Sequence, residues 1–182
     1  GYGAQLLQTD RIGVFVGAED SDYRMILPEE GNITADNLAL LSARIAYFLD
    51  FKGPNMTIST ACSSGLMALH QAYSSIKNGE CDTAIVAGVS ILSTSSAYDK
   101  MEKAGMLASD RKCYGFDKRA NGMVPAEAVA VVILKRESKA YHDRNRIYAS
   151  IVASGTNYDG RTNGITAPSG ESQKELLKSV YE

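Results

Sequence analysis

Cys62 lies in Thr60-Ala61-Cys62-Ser63-Ser64-Gly65, directly after the run Met56-Thr57-Ile58-Ser59-Thr60 and directly before a stretch with helical spacing. A cysteine at such a strand-to-helix turn has its sulfur beside unpaired backbone N–H groups, whose partial positive charge favours the nucleophilic thiolate. The same groups can hold the oxyanion that forms when a thiolate attacks a carbonyl, so the arrangement suits thioester exchange. The small neighbours Ala61, Ser63, Ser64 and Gly65 leave room for a substrate to reach the sulfur. The competing reading of any single cysteine is a small buried hydrophobe.

No other residue forms an obvious partner. His70 is eight residues on from Cys62 along the same helix, about 12 Å at a rise of about 1.5 Å per residue, too far to hydrogen-bond the sulfur. It reads as a packing or surface residue, and His142, in Tyr141-His142-Asp143-Arg144-Asn145, as solvated. Asp117 and Glu127 fit turn or cap positions better than acid/base roles. Asn157 to Pro168 is rich in Asn, Asp and Gly and reads as a turn-forming loop.

The elements that must position Cys62 follow from periodicity. Ile12 to Gly17 is a buried strand by its apolar, β-branched composition. Thr34 to Phe51 carries Leu38, Leu41, Ile45 and Phe48 at helical spacing, with Thr34 or Asp36 as N-cap and Gly53-Pro54 as the stop. After the second strand, the helix that follows Cys62 runs to about Asn78, with Gly79 beyond it, and its apolar surroundings predict a buried helix. Thr83 to Val89 is a third strand, Tyr98 to Leu107 a helical patch, and Ser109 to Asn121 a polar loop. Val124 to Lys135 is apolar on both faces, as expected of a central strand. Lys135 to Lys139 reads as a solvated strand end, Ile147 to Ser154 as a further strand, and Ser169 to Glu182 as a helix. Strands alternating with helices predict a layered α/β domain.

Composition removes other classes. The 19 Lys+Arg against 21 Asp+Glu in 182 residues give a net charge of −2, with no basic surplus for nucleic acid or an anionic membrane. The 3 cysteines, at 62, 81 and 113, form neither a disulfide framework nor a CxxC metal pair and fit a reducing cytoplasm. No apolar stretch is long enough for a membrane span, and no phosphate-binding, dinucleotide or EF-hand motif is present.

Gly53-Pro54-Asn55-Met56-Thr57-Ile58-Ser59-Thr60-Ala61-Cys62-Ser63-Ser64-Gly65 resembles the nucleophile motif of β-ketoacyl synthases, in particular the ketosynthase domains of modular polyketide synthases. Gly13 to Gly17, Ser42 to Tyr47, Gly79 to Val89, Gly115 to Gly122, Leu134-Lys135-Arg136 and Asn157 to Pro168 follow in the family's order and spacing. Pro125-Ala126-Glu127-Ala128 and Ala130 replace glycines common in the family, so the backbone there must be regular. This alanine form is associated with polyketide lines that lack built-in acyltransferases.

The resemblance implies a thiolase-like α/β/α fold, here its N-terminal half plus the start of the second half. Residues 1–182 would then be a partial ketosynthase domain, cut at both ends and a bit under half its length. It also implies that Cys62 accepts an acyl chain from the phosphopantetheine of an acyl carrier protein. A malonyl-type thioester then decarboxylates and condenses with it, in an enzyme that is a homodimer when intact. No cofactor beyond the carrier's pantetheine, and no metal, is implied. Cys62 is the only catalytic residue that carries over, because the family's two histidines and lysine fall beyond Glu182. Cys81 and Cys113 occupy non-catalytic positions and read as structural. The alternatives are a non-elongating ketosynthase, a thiolase-type acyltransferase, or a segment inert and poorly folded in isolation.

Overall fold

The computed structural model describes residues 10–27 and 37–182. A four-stranded sheet with the order β2-β1-β3-β4 is built from β1 (Ile12–Ala18), β2 (Asn55–Ile58), β3 (Thr83–Ser90) and β4 (Ala128–Lys135). β1 runs parallel to β2 and β3, and β4 closes antiparallel on β3. The helices are α1 (Leu38–Leu49), α2 (Ser64–Lys77), α3 (Ser96–Lys103), α4 (Glu137–His142) and α5 (Gly170–Tyr181), with a short 3-10 segment over Asp22–Ile26.

The period of two along β1 sorts its side chains between the helices. Val14 and Val16 pack with Ala46, Leu41 and Ile45 of α1, whereas Phe15 packs with Ala68, Ala72 and Ile76 of α2. β1 is buried along its whole length, as a strand covered on both faces must be. The layered α/β arrangement expected from the sequence is therefore present.

Several boundaries differ. The N-cap of α1 is Asn37, whose Oδ1 accepts from the Ala39 N–H at 2.9 Å; Thr34 and Asp36, the expected caps, lie outside the described residues. The helix stops at Asp50 in a left-handed conformation rather than at Gly53. Gly53 serves the sheet instead. A Cβ there would stand 2.3 Å from the Ile12 carbonyl oxygen, so only glycine lets the chain pass β1 this closely. α2 is not buried all round, because Leu66 is 75% exposed while Ala68 and Ala72 are fully covered. β4 is an edge strand among the described residues, with Val129, Val131 and Ile133 exposed. Two-sided apolarity reports a strand's capacity for burial, and the partners decide whether it is used.

Residues 147–154 form no strand, and no neighbour among the described residues pairs with them in a ladder. Side chains of α2 hold them instead: His70 Nδ1 is 2.9 Å from Ser154 Oγ, and the Tyr73 hydroxyl donates to the Val152 carbonyl at 3.4 Å. The stretch after β4 is helical rather than a solvated strand end, as α4. A cluster of ion pairs ties that helix down: Lys135 Nζ bonds Asp143 Oδ2 and Asn145 Oδ1, and Lys139 Nζ meets Asp10 at 3.0 Å.

The Lys135 bond, with a second from His142, holds the Asp143 carboxyl down to about 2. A carboxyl lowered in the folded state contributes stability above its unfolded value and loses it as pH falls through the folded one. Asp143→Asn is therefore expected to be less stable than wild type at pH about 6. The gap closes between about pH 4 and about pH 2, where the wild-type carboxyl protonates. Urea unfolding of both full-length proteins across that range checks it.

Candidate functional site

Cys62 sits where expected, at the turn between β2 and α2, and its side chain is exposed. The turn is sharp because Ala61 takes a left-handed conformation, with φ at 54°. A residue with a Cβ adopts that conformation at some cost, and the bonds around it are what hold it there. Ser64 is the staple. Its buried hydroxyl accepts from the Thr60 N–H at 2.8 Å and donates to the Ala61 carbonyl at 2.6 Å, while the Ser64 N–H donates to the same carbonyl at 3.0 Å.

Ser63 is the N-cap residue of α2, yet its side chain makes no cap bond to the helix. Its hydroxyl turns back to the Thr60 carbonyl, 2.7 Å, and the Thr60 hydroxyl, 2.9 Å. Apart from Ser64, whose N–H is spent on the Ala61 carbonyl, the first-turn N–H groups of α2 are thus left without a side-chain cap, directly after Cys62. That is the donor set a developing oxyanion needs.

The helix reaches this position because the sheet beneath it has no side chains in the way. Gly17 of β1 and Gly88 of β3 are register partners. A Cβ on Gly17 would lie 2.3 Å from the Ser64 carbonyl carbon and oxygen, and one on Gly88 would lie 3.7 Å from the Gly65 Cα. β2, which delivers the turn, is locked to α1 by a part-buried polar knot around the buried Ser42. The Ser42 hydroxyl donates to Asn55 Oδ1 at 2.7 Å, the Thr57 hydroxyl donates to Ser42 Oγ at 3.0 Å, and Asn55 Nδ2 donates to the Ser42 carbonyl at 3.1 Å.

Ser64→Ala would leave the Thr60 N–H without its acceptor and release the left-handed turn. We expect a loss of about 1–3 kcal/mol, measured by urea unfolding of the full-length protein, with thioester reaction at Cys62 slowed in parallel.

The other candidates fall into place around this turn without joining it. His70 is engaged with Ser154. His142 is exposed and paired with Asp143 Oδ1 at 2.9 Å. Asp117 is held by its own neighbour, accepting from Arg119 Nε at 3.0 Å, and that bond lowers its carboxyl below the usual value. Glu127 accepts from the Leu92 N–H, 35 residues away, at 2.7 Å, a long-range bond rather than the local turn or cap bond expected, and Ala126, Ala128 and Ala130 avoid positive φ. Cys81 is fully buried, and burial raises its thiol above the ordinary value. Cys113 is exposed, so it is not the packed structural residue expected.

The 157–168 loop is tied to the start of α5. Asn157 Nδ2 donates to the Ser172 carbonyl at 2.6 Å, and Asp159 Oδ2 accepts from the Ser169 N–H at 3.2 Å. Tyr158 and residues 160–165 line an open cleft to which Cys62 does not contribute. Among the described residues no cluster of His, Cys, Asp and Glu has metal-ligand grouping, and no helix is long and apolar enough to cross a membrane.

Two positioning features carried no sequence signal. Ser42 lies inside a quoted motif but shows no role until Asn55 is set beside it. Asp22 lies in a polar stretch, and its partners, Ser93 and Thr94, are more than 70 residues away.

Comparison with known proteins agrees with this geometry. The chain is 47% identical over 182 residues to polyketide synthase PksM of Bacillus subtilis, covering all of this chain and 4% of that protein. It is 41% identical over 185 residues to a fatty acid synthase of Anser anser anser, covering 98% of this chain and 51% of the relative. Among solved structures, the ketosynthase from module 6 of the bacillaene synthase of Bacillus subtilis superposes with a TM-score of 0.91 at 43% identity. That match covers 99% of this chain and 32% of the other. The fold is therefore the thiolase-like one of ketosynthases, represented by its N-terminal part. The chain spans about a third of the solved ketosynthase and a small part of the polyketide synthase it matches. The N-terminal domain of β-ketoacyl synthases matches residues 1–140, and the chain belongs to the β-ketoacyl synthase family.

Proposed function

We propose that these residues form the acyl-accepting part of a polyketide ketosynthase, with Cys62 as the nucleophile. The observation that carries this reading is the turn itself: an exposed cysteine held by a left-handed Ala61 at the uncapped start of α2. The higher identity to a polyketide synthase than to a fatty acid synthase supports the pathway.

The Cys62 thiolate attacks the carbonyl of an acyl thioester carried on the phosphopantetheine of an acyl carrier protein. The first-turn N–H groups of α2 that follow Ser64 hold the oxyanion, the new C–S bond forms, and the carrier's thiol leaves with a proton. A malonyl-type thioester on a second carrier then loses CO2. The electron pair of the broken C–C bond attacks the Cys62 thioester carbonyl, and the Cys62 thiolate departs. The family's histidines are assigned to neither His70 nor His142, which are bonded elsewhere. The working enzyme is a homodimer in the cytoplasm and needs no resident cofactor or metal.

Incubating the full-length protein with an acyl thioester and then with malonyl-loaded carrier protein tests this. The expected result is a β-ketoacyl thioester with one CO2 released per condensation. Acyl transfer to the protein without any β-keto product would instead place it among the non-elongating ketosynthases.

A further inference from the structure

The loop that leaves β3 is held in an unusual way. Three consecutive backbone N–H groups, from Leu92, Ser93 and Thr94, donate to carboxylates from two distant segments. Leu92 bonds Glu127 Oε1 at 2.7 Å, and Ser93 and Thr94 bond the two oxygens of Asp22, each at 2.8 Å. The Thr94 hydroxyl adds a fourth bond, to Asp22 Oδ2 at 2.7 Å. Successive N–H groups that converge in this way form a concavity suited to anions, and here two side chains of the chain fill it. The Thr94 hydroxyl bond, ahead of the backbone bonds, keeps the Asp22 carboxyl below its ordinary value, so Asp22 is charged at neutral pH.

The position of this clamp in the fold points to what it does. β1, β2 and β3 run parallel and end on the same side of the sheet, the side on which open α/β sheets take their ligands. Gly88, two residues before the end of β3, faces Gly65 in the first turn of α2, whose Cα a Cβ on Gly88 would meet at 3.7 Å. The 91–95 loop therefore departs beside the turn that carries Cys62. It carries two apolar side chains, Ile91 (48% exposed) and Leu92, in an otherwise serine- and threonine-rich stretch. A loop of this composition has no core of its own to define its shape, so the carboxylates supply the constraint.

We propose that Asp22 and Glu127 are positioning residues that hold the 91–95 loop as an apolar wall selecting which acyl chain reaches Cys62. The role rests on the reading of Cys62 as acyl acceptor and extends it to specificity. Neither carboxylate touches the reacting atoms. Each acts through the loop, and losing either frees Ile91 and Leu92 to move.

The test uses the full-length protein with acetyl and octanoyl N-acetylcysteamine thioesters, following Cys62 loading by intact mass, and hydrogen exchange at the amides of residues 92–94. In Asp22→Asn and Glu127→Gln the ratio of octanoyl to acetyl KM is expected to change about tenfold, the equivalent of one charge-assisted hydrogen bond. The acetyl kcat stays near wild type, and exchange at 92–94 rises. Thr94→Val is expected to move the ratio in the same direction, and Thr94→Ser, which keeps the hydroxyl, to restore it. If Asp22→Asn is insoluble, the Thr94 pair decides alone. An unchanged KM ratio in variants whose amides have lost protection would overturn the selecting role, as would rapid exchange at 92–94 in wild type. Failure of wild type to load either thioester at Cys62 would overturn the acyl-acceptor reading, and the amide protection keeps the two failures apart.

Discussion

Cys62→Ala is expected to abolish covalent acyl transfer to the protein, lowering it by at least about a thousandfold, the scale on which removing a nucleophile acts. The contrast with the other two cysteines makes the result readable. Cys81 is fully buried in the cluster with Phe15 and Ala84, and burial raises its thiol above the ordinary value, so it is both shielded and poorly ionised. Cys113 is exposed but lies in a loop without a helix start to hold an oxyanion. Intact mass after incubation with an acyl thioester is expected to show one acyl adduct on wild type and on Cys113→Ala, and none on Cys62→Ala. Equal labelling of wild type and Cys62→Ala would sink the nucleophile assignment. Because Cys62 is exposed, its removal leaves no cavity, so the fold is expected to survive the substitution and the loss is chemical.

Gly17→Ala is expected to be the most damaging single methyl group that can be added near the site. Its Cβ would stand 2.3 Å from the Ser64 carbonyl carbon and oxygen and 2.5 Å from the Gly65 N–H nitrogen. All three are backbone atoms that no rotamer change can move. The start of α2 must therefore lift off the sheet, disturbing the Ser64 bonds that hold Ala61 left-handed. Overpacking of this kind costs about 1–3 kcal/mol, and the site lies where the shift is largest, so acyl loading is expected to fall further than stability. Gly88→Ala is the control on the same platform. Its Cβ would meet only Gly65 Cα, at 3.7 Å, an ordinary contact, and urea unfolding with acyl loading should leave it near wild type. Equal behaviour of the two alanines would contradict the platform argument.

How much of the fold is legible along the chain depends on the range over which the controlling contacts act. β1, β3 and α2 are readable from periodicity because a continuous apolar run, or apolar residues at helical spacing, has one dominant way of being buried. The Cys62 turn is readable because its parts are adjacent: the strand, the small residues and the helix lie within a few positions of one another. The 147–154 segment and β4 depart from expectation for one physical reason. Strand formation and strand burial depend on a neighbour that the strand's own residues do not specify. The six-residue α4 is too short for a periodic signal, and a cluster of charges holds it in place.

The family pattern, the layered α/β class and the position of Cys62 at a strand-to-helix turn are all written in residues close together along the chain, so they can be read without coordinates. What surrounds that turn cannot. Gly17 lies more than 40 residues before the Ser64 it must accommodate, Ser42 is 13 residues from Asn55, and Asp22 is 72 from Thr94. Hydrogen bonds and steric contacts depend on distances of a few ångströms in space, and for residues this far apart in sequence those distances exist only after the sheet and its two helical layers have assembled.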